Sequence, residues 1–312
     1  MSFQVIGIGE VLWDLLPDGP QLGGAPANFA YHAHALGARA SVISRIGADD
    51  YGRTILERFK QMGLPESPLQ VDESAPTGTV MVSLNGNGIP HFVIHDNVSW
   101  DRLLVTKSAL ETVREANAVC FGSLAQRNAT SRTSIQRLLS AAPADSLRVF
   151  DINLRQKFYS REIIEQSLRL ANVVKLNDAE LPIVAEMFEL GKDRPQQIER
   201  LATAFGLRLV VLTCGPQGSV LFQDGRWSEQ PTLPVKIVDT VGAGDSFTAA
   251  LVMGLLNEMD LDEVHVAAAE VASYVCTQAG ATPALPPGLR NKFSNGKHSK
   301  PGVSANDVVV QA

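Results

Sequence analysis

The sequence predicts an α/β protein: a three-layer α/β/α arrangement around a mostly parallel central sheet, with a small antiparallel sheet set into it. Three observations predict this. Short apolar, β-branched runs alternate with helical stretches over most of the chain, the pattern of a parallel sheet covered on both faces. One region breaks that rhythm: Thr77–Leu84 and Pro90–His95 alternate polar with apolar residues around the glycine-rich turn Asn85-Gly86-Asn87-Gly88. The 312 residues, 45% hydrophobic and 19% charged, have the composition of an ordinary globular enzyme.

Taken in order, Val5–Gly9 is the first strand, because Met1–Gln4 lacks a basic start and no long apolar run follows. Val11–Leu16 pairs beside the hairpin. A helix then opens with Pro26 in its first turn, ends near Gly37, and buries Phe29, Ala33 and Leu36. Further strands are expected at Ala40–Ile46, Ala118–Phe121, Arg148–Asp151, Val173–Leu176, Leu209–Thr213 and Ser219–Phe222, with a short β-prone run at Pro234–Val238. Helical patterns lie at Tyr51–Met62, Thr130–Ala141, Arg161–Ala171, Asp178–Phe188, Gln196–Phe205, Phe247–Met259 and Leu261–Ala279. Residues 1–290 read as one domain, with residues 11–24 and 76–101 forming a β lid, or else an edge extension or dimer surface. The stretch 291–312 reads as a tail whose Val308-Val309-Val310 docks as a strand on this chain or a neighbour.

Composition narrows the function. A net charge of −6 gives no basic field for nucleic acid or acidic membrane, and no apolar run approaches a membrane span. Cys120, Cys214 and Cys276 are odd in number and far apart. They suit neither a disulfide framework nor a zinc site and suggest a reducing cytoplasm. His32 and His34, two apart on a helix, point in different directions and make no metal pair.

The most informative stretch is Asp239-Thr240-Val241-Gly242-Ala243-Gly244-Asp245. A Gly-Ala-Gly turn opens a helix on which Phe247, Leu251 and Leu255 share a buried face. The unpaired amides of that first turn and the helix dipole make an anion site. Asp245 at its lip suits a base that takes a proton from a hydroxyl while charge builds on a neighbouring phosphoryl group. A second element, Gly23-Gly24-Ala25-Pro26-Ala27-Asn28, lets backbone approach a ligand closely and places Asn28, which both donates and accepts as sugar hydroxyls require. Asp14 is positioned to accept from two hydroxyls. Read alone, Asn28 is better taken as a helix cap and Asp14 as a turn acceptor feeding Asp18-Gly19. No Gly-x-x-x-x-Gly-Lys-Ser/Thr loop occurs, and no third glycine and acidic partner complete a dinucleotide fingerprint.

Gly23-Gly24-x-x-x-Asn28 followed, about 215 residues later, by Asp239-Thr240-x-Gly242-Ala243-Gly244-Asp245 resembles the ribokinase-like, or phosphofructokinase B, carbohydrate kinases from about Val5 to Pro286. The resemblance implies an ATP-dependent, Mg²⁺-requiring sugar kinase of ribokinase-like fold. Asp245 would be the base, and the amides of Gly242, Ala243 and Gly244 would hold the transferred group. It further implies that Asn153 and Arg155, in Asp151-x-Asn-x-Arg, reach sugar or phosphate beside Asp14, Gly23, Gly24 and Asn28. Asn177 and Glu180 would organise Mg²⁺ through water near the ATP phosphates. Thr213, Gly215 and Gly218 would form the nucleotide loop, with Gly280 on the adenine side. Many relatives bind a monovalent cation such as K⁺, and Asp239 occupies the corresponding place. The helix segment Ala267–Ser273 lacks an Asn that family members often carry, and Ala284 stands where some have Ser. Among substrates fructose fits first, through Gly-Gly-Ala-Pro-Ala-Asn, Asp-x-Asn-x-Arg and Asn97-Val98-Ser99-Trp100-Asp101; 2-keto-3-deoxygluconate, ribose and nucleosides follow. The absence of Lys and Arg from Pro76–Trp100 disfavours a sugar phosphate. Two other classes remain: a sugar- or nucleotide-binding regulator without turnover, and a scaffold dimerising through the lid.

Overall fold

The computed structural model describes residues 2–84 and 90–293. The expected Asn85–Gly88 turn and the docking of Val308–Val310 lie outside the described residues. From the N-terminus run β1 (Gln4–Ile8), β2 (Leu12–Leu16), β3 (Gly19–Gly23), α1 (Ala25–Ala35), β4 (Arg39–Ile43), β5 (Arg45–Gly47), α2 (Asp50–Gln61), β6 (Gln70–Asp72), β7 (Gly78–Leu84) and β8 (Pro90–Ile94). Next come α3 (Lys107–Arg114), β9 (Ala118–Gly122), α4 (Ala129–Ala141), β10 (Leu147–Asp151), α5 (Arg161–Leu170), β11 (Val173–Asn177), α6 (Glu180–Phe188), α7 (Arg194–Phe205) and β12 (Leu209–Thr213). The remainder comprises β13 (Ser219–Gln223), β14 (Arg226–Gln230), α8 (Ala243–Leu256), α9 (Leu261–Cys276) and α10 (Pro287–Asn291).

The large sheet has the order β14-β13-β12-β11-β10-β9-β1-β4. It is parallel from β4 to β12 and antiparallel from β12 to β14. Its central strands, β1 and β9 to β12, are buried on both faces, so successive residues serve different cores. Ile6, Phe121, Phe150, Val174 and Leu212 join one cluster, with residues of α3 to α7. Val5, Cys120, Val149, Val173 and Val211 join the other, with residues of α1, α2, α8 and α9. That alternation makes any charged residue within these strands conspicuous.

The small sheet, β3-β2-β7-β8, consists of two antiparallel hairpins that meet along a parallel β2–β7 contact. The long excursion from β3 to β7 lets the chain re-enter in the same direction. Its inner side chains Leu12, Val80 and Ile94 reach the main core beside Trp100, so the small sheet is rooted in the fold. Its outer pair, Met81 opposite Val93, is exposed.

Two sequence expectations are corrected, and one strand of the main sheet was missed. The run Ala40–Ile46 is broken at Ser44: β5 leaves the main sheet and pairs with β6, where Arg45 meets the Asp72 carboxylate at 3.2 Å. Pro234–Val238 is not a strand, because it finds no sheet edge. Ile237 stays 61% exposed, and among the described residues the segment is tied at its end, by the Val238 amide to the Cys276 carbonyl. Finally, β14 went unpredicted although Asp224-Gly225 announces a hairpin; both residues take positive φ, as a tight two-residue turn requires.

Candidate active site

The parallel strands all end on one edge, where open α/β sheets gather ligand-binding residues. There β9 ends at Gly122, β10 at Asp151, β11 at Asn177 and β12 at Thr213. The first turn of α8 lies over this edge. Gly242 is its N-cap, in left-handed conformation with φ 77°, and the first amide of its helical ladder is that of Ser246, bonded to the Gly242 carbonyl at 2.8 Å. The Gly244 and Asp245 amides precede that ladder. The Ala243 amide, expected to face an anion, leans to the Thr240 carbonyl at 3.3 Å.

Asp245 lies half-buried in that turn and lines a small cleft with Ala25, Pro26, Gly122, Asp151 and Asn153. The Asn28 side-chain amide donates to Asp245 Oδ2 at 2.8 Å across 217 residues of sequence. Asn28 is thus no helix cap: it is 5% exposed, on the first turns of α1, aimed at the other motif. Burial lifts the Asp245 carboxyl to about 6, with the Asp151 charge adding to the rise, while Asn28, Lys175 and Arg155 oppose it. A base poised there is ionised at neutral pH and still able to hold a proton.

Around this centre the other expected residues fall into three groups. On the side of the small sheet, Gly23 gives Asp14 room, since a Cβ on Gly23 would lie 2.5 Å from Asp14 Oδ2. Asp14 has its carboxyl raised by burial and held down by Arg155. Gly24, with φ 111°, lies against the Glu10 carbonyl, where a Cβ would approach to 2.5 Å. Asn153 adopts a positive φ of 44° just past β10, and the exposed Arg155 side chain acts electrostatically on Glu10, Asp14 and Asp245 together.

Beyond β11, Glu180 accepts the Leu154 amide at 2.8 Å through one oxygen and the Asn177 amide at 2.9 Å through the other. It therefore ties the Asn153–Arg155 loop to the end of β11. Its carboxyl is raised by burial and by Asp151. The Asn177 Oδ1 accepts from the Ala179 and Glu180 amides just before and at the start of α6. Thr213 ends β12 with its hydroxyl 3.5 Å from the Leu176 carbonyl. Gly215 and Gly218 close the next turn, where the Cys214 amide meets the Gly218 carbonyl at 2.7 Å.

At the far side, Asp239 accepts the Val241 amide at 3.0 Å and the Gly280 amide at 3.0 Å. It fastens the approach to α8 onto the loop after α9. His32, wholly buried, donates from Nε2 to the Ala281 carbonyl at 2.9 Å, and burial lowers its ring to about 4, so it is neutral.

Two groups were missed from sequence. Lys175, set between Val174 and Leu176 of β11, is 8% exposed and holds Asp151 through both carboxylate oxygens, at 2.8 and 3.0 Å. Burial alone would lower its ammonium; Asp151 overrides that and raises it. Glu10, 2% exposed with one oxygen lacking a partner among the described residues, is lifted to about 7 chiefly by burial. The signal for Lys175 was present: a cation amid Val173, Val174 and Leu176 on a doubly buried strand must be paired.

Comparison with known proteins decides what kind of protein carries this arrangement. Residues 20–287 match the model of the pfkB family carbohydrate kinases. The chain is a PfkB-family carbohydrate kinase. The kinase is similar to a sugar kinase of Pyrococcus horikoshii, 30% identical over 275 residues that cover 83% of this chain and 84% of the relative. It is likewise 30% identical to the fructokinase of Escherichia coli over 303 residues, 92% and 97% of the two chains. The solved structure of the P. horikoshii sugar kinase in complex with ATP superposes with a TM-score of 0.77 at 29% identity, covering 89% of this chain and 94% of that one. A ribokinase-type structure from E. coli reaches a TM-score of 0.80 at 20% identity over 94% and 99% of the chains, which fixes the ribokinase-like fold. Among the described residues no helix is long and apolar enough to cross a membrane.

Proposed function

We propose that the kinase transfers the γ-phosphoryl group of ATP to a hydroxyl of a free sugar, with fructose as the foremost acceptor and residues 1–290 acting as one catalytic domain. The observation that carries this reading is the Asn28–Asp245 hydrogen bond of 2.8 Å, which brings the sugar-side and phosphate-side motifs to one point at the entrance of α8. In this reading the acceptor hydroxyl lies against Asp14, Asn28 and Asp245. Asp245 takes its proton as the oxygen bonds to the γ-phosphorus and the bond to the bridging oxygen of ADP breaks. The Gly244 and Asp245 amides face the charge on the moving group, so the work is positioning and electrostatics.

ATP is supported by the ATP complex of the P. horikoshii relative. Its ribose and phosphates are assigned to the loop Thr213–Gly218, and its adenine to the side of Gly280. Mg²⁺ takes most ligands from phosphate and water in such sites, and the Glu180 oxygens, each bonded to one amide, keep lone pairs for that water. Mg²⁺ supplies neutralisation of the phosphate charge. Asp239, with both oxygens on loop amides, serves first as a tie between the two loops that would border a K⁺ site.

The test is ATP consumption with fructose, ribose, 2-keto-3-deoxygluconate and adenosine, with and without K⁺. Fructose is expected to give the highest kcat/KM. Preference for the keto-acid would make Arg155 a carboxylate receptor, and no turnover with any of them would favour a regulator. Arg155→Ala is expected to lower kcat/KM for the true acceptor about tenfold or more, the usual worth of a hydrogen bond to a charged group. An equal loss with an analogue truncated at the Arg155 end would remove this residue from sugar contact.

A further inference from the structure

The register of β10 on β11 sets Asp151 opposite Lys175. By strand alternation both share the face of Val149 and Val173, which is the face covered by α8. The Lys175 ammonium reaches the first turn of that helix: a Cβ built on Gly244 would lie 3.1 Å from Nζ. The next residue is Asp245. A buried ion pair is a weak stability device, because apolar side chains of similar volume often serve as well. Its place here, under the reacting turn, calls for another reason.

We propose that Lys175 is a positioning residue for phosphoryl transfer: clamped on Asp151 beneath the entrance of α8, it cancels the Asp151 charge that Asp245 faces and so keeps the Asp245 carboxylate ionised at neutral pH. The inference rests on the reading of Asp245 as the base. The groups around Asp245 are Asn28 from α1, Asp151 from β10, Lys175 from β11, Arg155 from the loop after β10, Glu10 from the loop after β1 and the Cys120 thiol from β9. Cys120 is neutral, because burial pushes its thiol well up. Glu10 adds negative charge once ionised, and Arg155 is exposed and screened. That leaves Lys175 as the buried cation in the set. Without it, Asp151 and Asp245 become two carboxylates in one poorly solvated space, a situation in which one of them takes up a proton.

The test needs no substrate. In protein carrying ¹³Cγ-labelled aspartate, the Asp245 resonance is assigned by its loss in Asp245→Asn and titrated with pH in wild type, Lys175→Met and Asp151→Asn. Lys175→Met is expected to raise the Asp245 midpoint by about one pH unit or more, a tenfold loss of carboxylate at a given pH. Asp151→Asn, which leaves the cation without its counter-charge, is expected to lower it. With MgATP and fructose, the acid limb of kcat/KM should move with these midpoints, so that the Lys175→Met deficit at pH 7 closes by about pH 9. A merely structural pair would depress activity at every pH and leave both midpoints in place. Midpoints within about 0.3 unit of wild type in either folded variant would overturn the proposal; should one variant not fold, the opposite shift in the other decides. If Asp245→Asn retains turnover while the midpoints move as stated, the base assignment fails and the electrostatic coupling stands.

Discussion

Asp245→Asn is expected to lose turnover by about 10²–10⁴-fold, the usual contribution of a positioned base, while becoming more stable than the wild type at neutral pH. Both effects follow from one local arrangement. The side-chain amide preserves shape, and its oxygen still accepts from Asn28, so α1 and α8 remain joined. What disappears is a charge that the fold holds unwillingly. Burial and Asp151 raise the carboxyl from 3.8 to about 6, so the folded state prefers the protonated form. The stability from that preference is present in full below the unfolded value near 4 and is lost as pH rises through about 6. At pH 8 the ionised Asp245 therefore costs the wild type about 1–2 kcal/mol, allowing for its partial exposure to solvent. The variant should melt a few degrees higher at pH 8, and the gap should close near pH 4. Thermal melts at the two pH values, with kcat from a coupled assay, check both halves. Near-normal kcat would reject the role of Asp245, and an unchanged melting temperature at pH 8 would reject the account of its charge.

The second large effect concerns the turn itself. Gly242→Ala places a Cβ 2.4 Å from the Ala281 carbonyl oxygen, in a backbone conformation, φ 77°, that costs a substituted residue about 1–2 kcal/mol. The carbonyl cannot yield easily, because His32 Nε2 holds it from within the core. The entrance of α8 must shift instead, and the Gly244 and Asp245 amides shift with it. Loss of one well-placed donor in an anion hole costs about 10²–10³ in kcat, so a fall of that size is expected. Gly206→Ala provides the control: φ is 63° there, but a Cβ meets no described residue within 4 Å. It should cost similar stability and leave kcat nearly intact. Steady-state kinetics and urea midpoints of the two variants, side by side, separate backbone strain from displacement of the turn. Equal kcat in both would show that the anion turn tolerates movement.

The sequence carried the layered sheet and the two motifs because both are local signals. Runs such as Val173–Leu176 and helix stripes such as Phe29, Ala33 and Leu36 state their own burial. Gly24 and Gly242 state a backbone conformation that other residues avoid. The partnership between the motifs was not local: that Asn28 bonds Asp245, rather than capping α1, depends on packing between elements far apart in the chain. The Lys175–Asp151 pair was hidden for the same reason, since only strand register sets the two residues opposite each other. The error at Pro234–Val238 runs the other way. Its alternating apolar residues have the local preference of a strand, but a strand needs an edge, and this segment has none. At Ser44 the chain leaves the main sheet for a separate two-stranded one, where Arg45 meets Asp72, a non-local pairing that no local pattern states.

The most direct measurement is the single-turnover rate of phosphoryl transfer to the preferred sugar, followed from about pH 4.5 to 8.5 in wild type and in Asp245→Asn. The wild-type rate should rise with loss of one proton, with a midpoint near the value of about 6 set by burial and Asp151, and then level off. The variant should be slow and flat across the same range. A wild-type rate indifferent to pH across that window, or a variant that follows the same curve, would contradict the account.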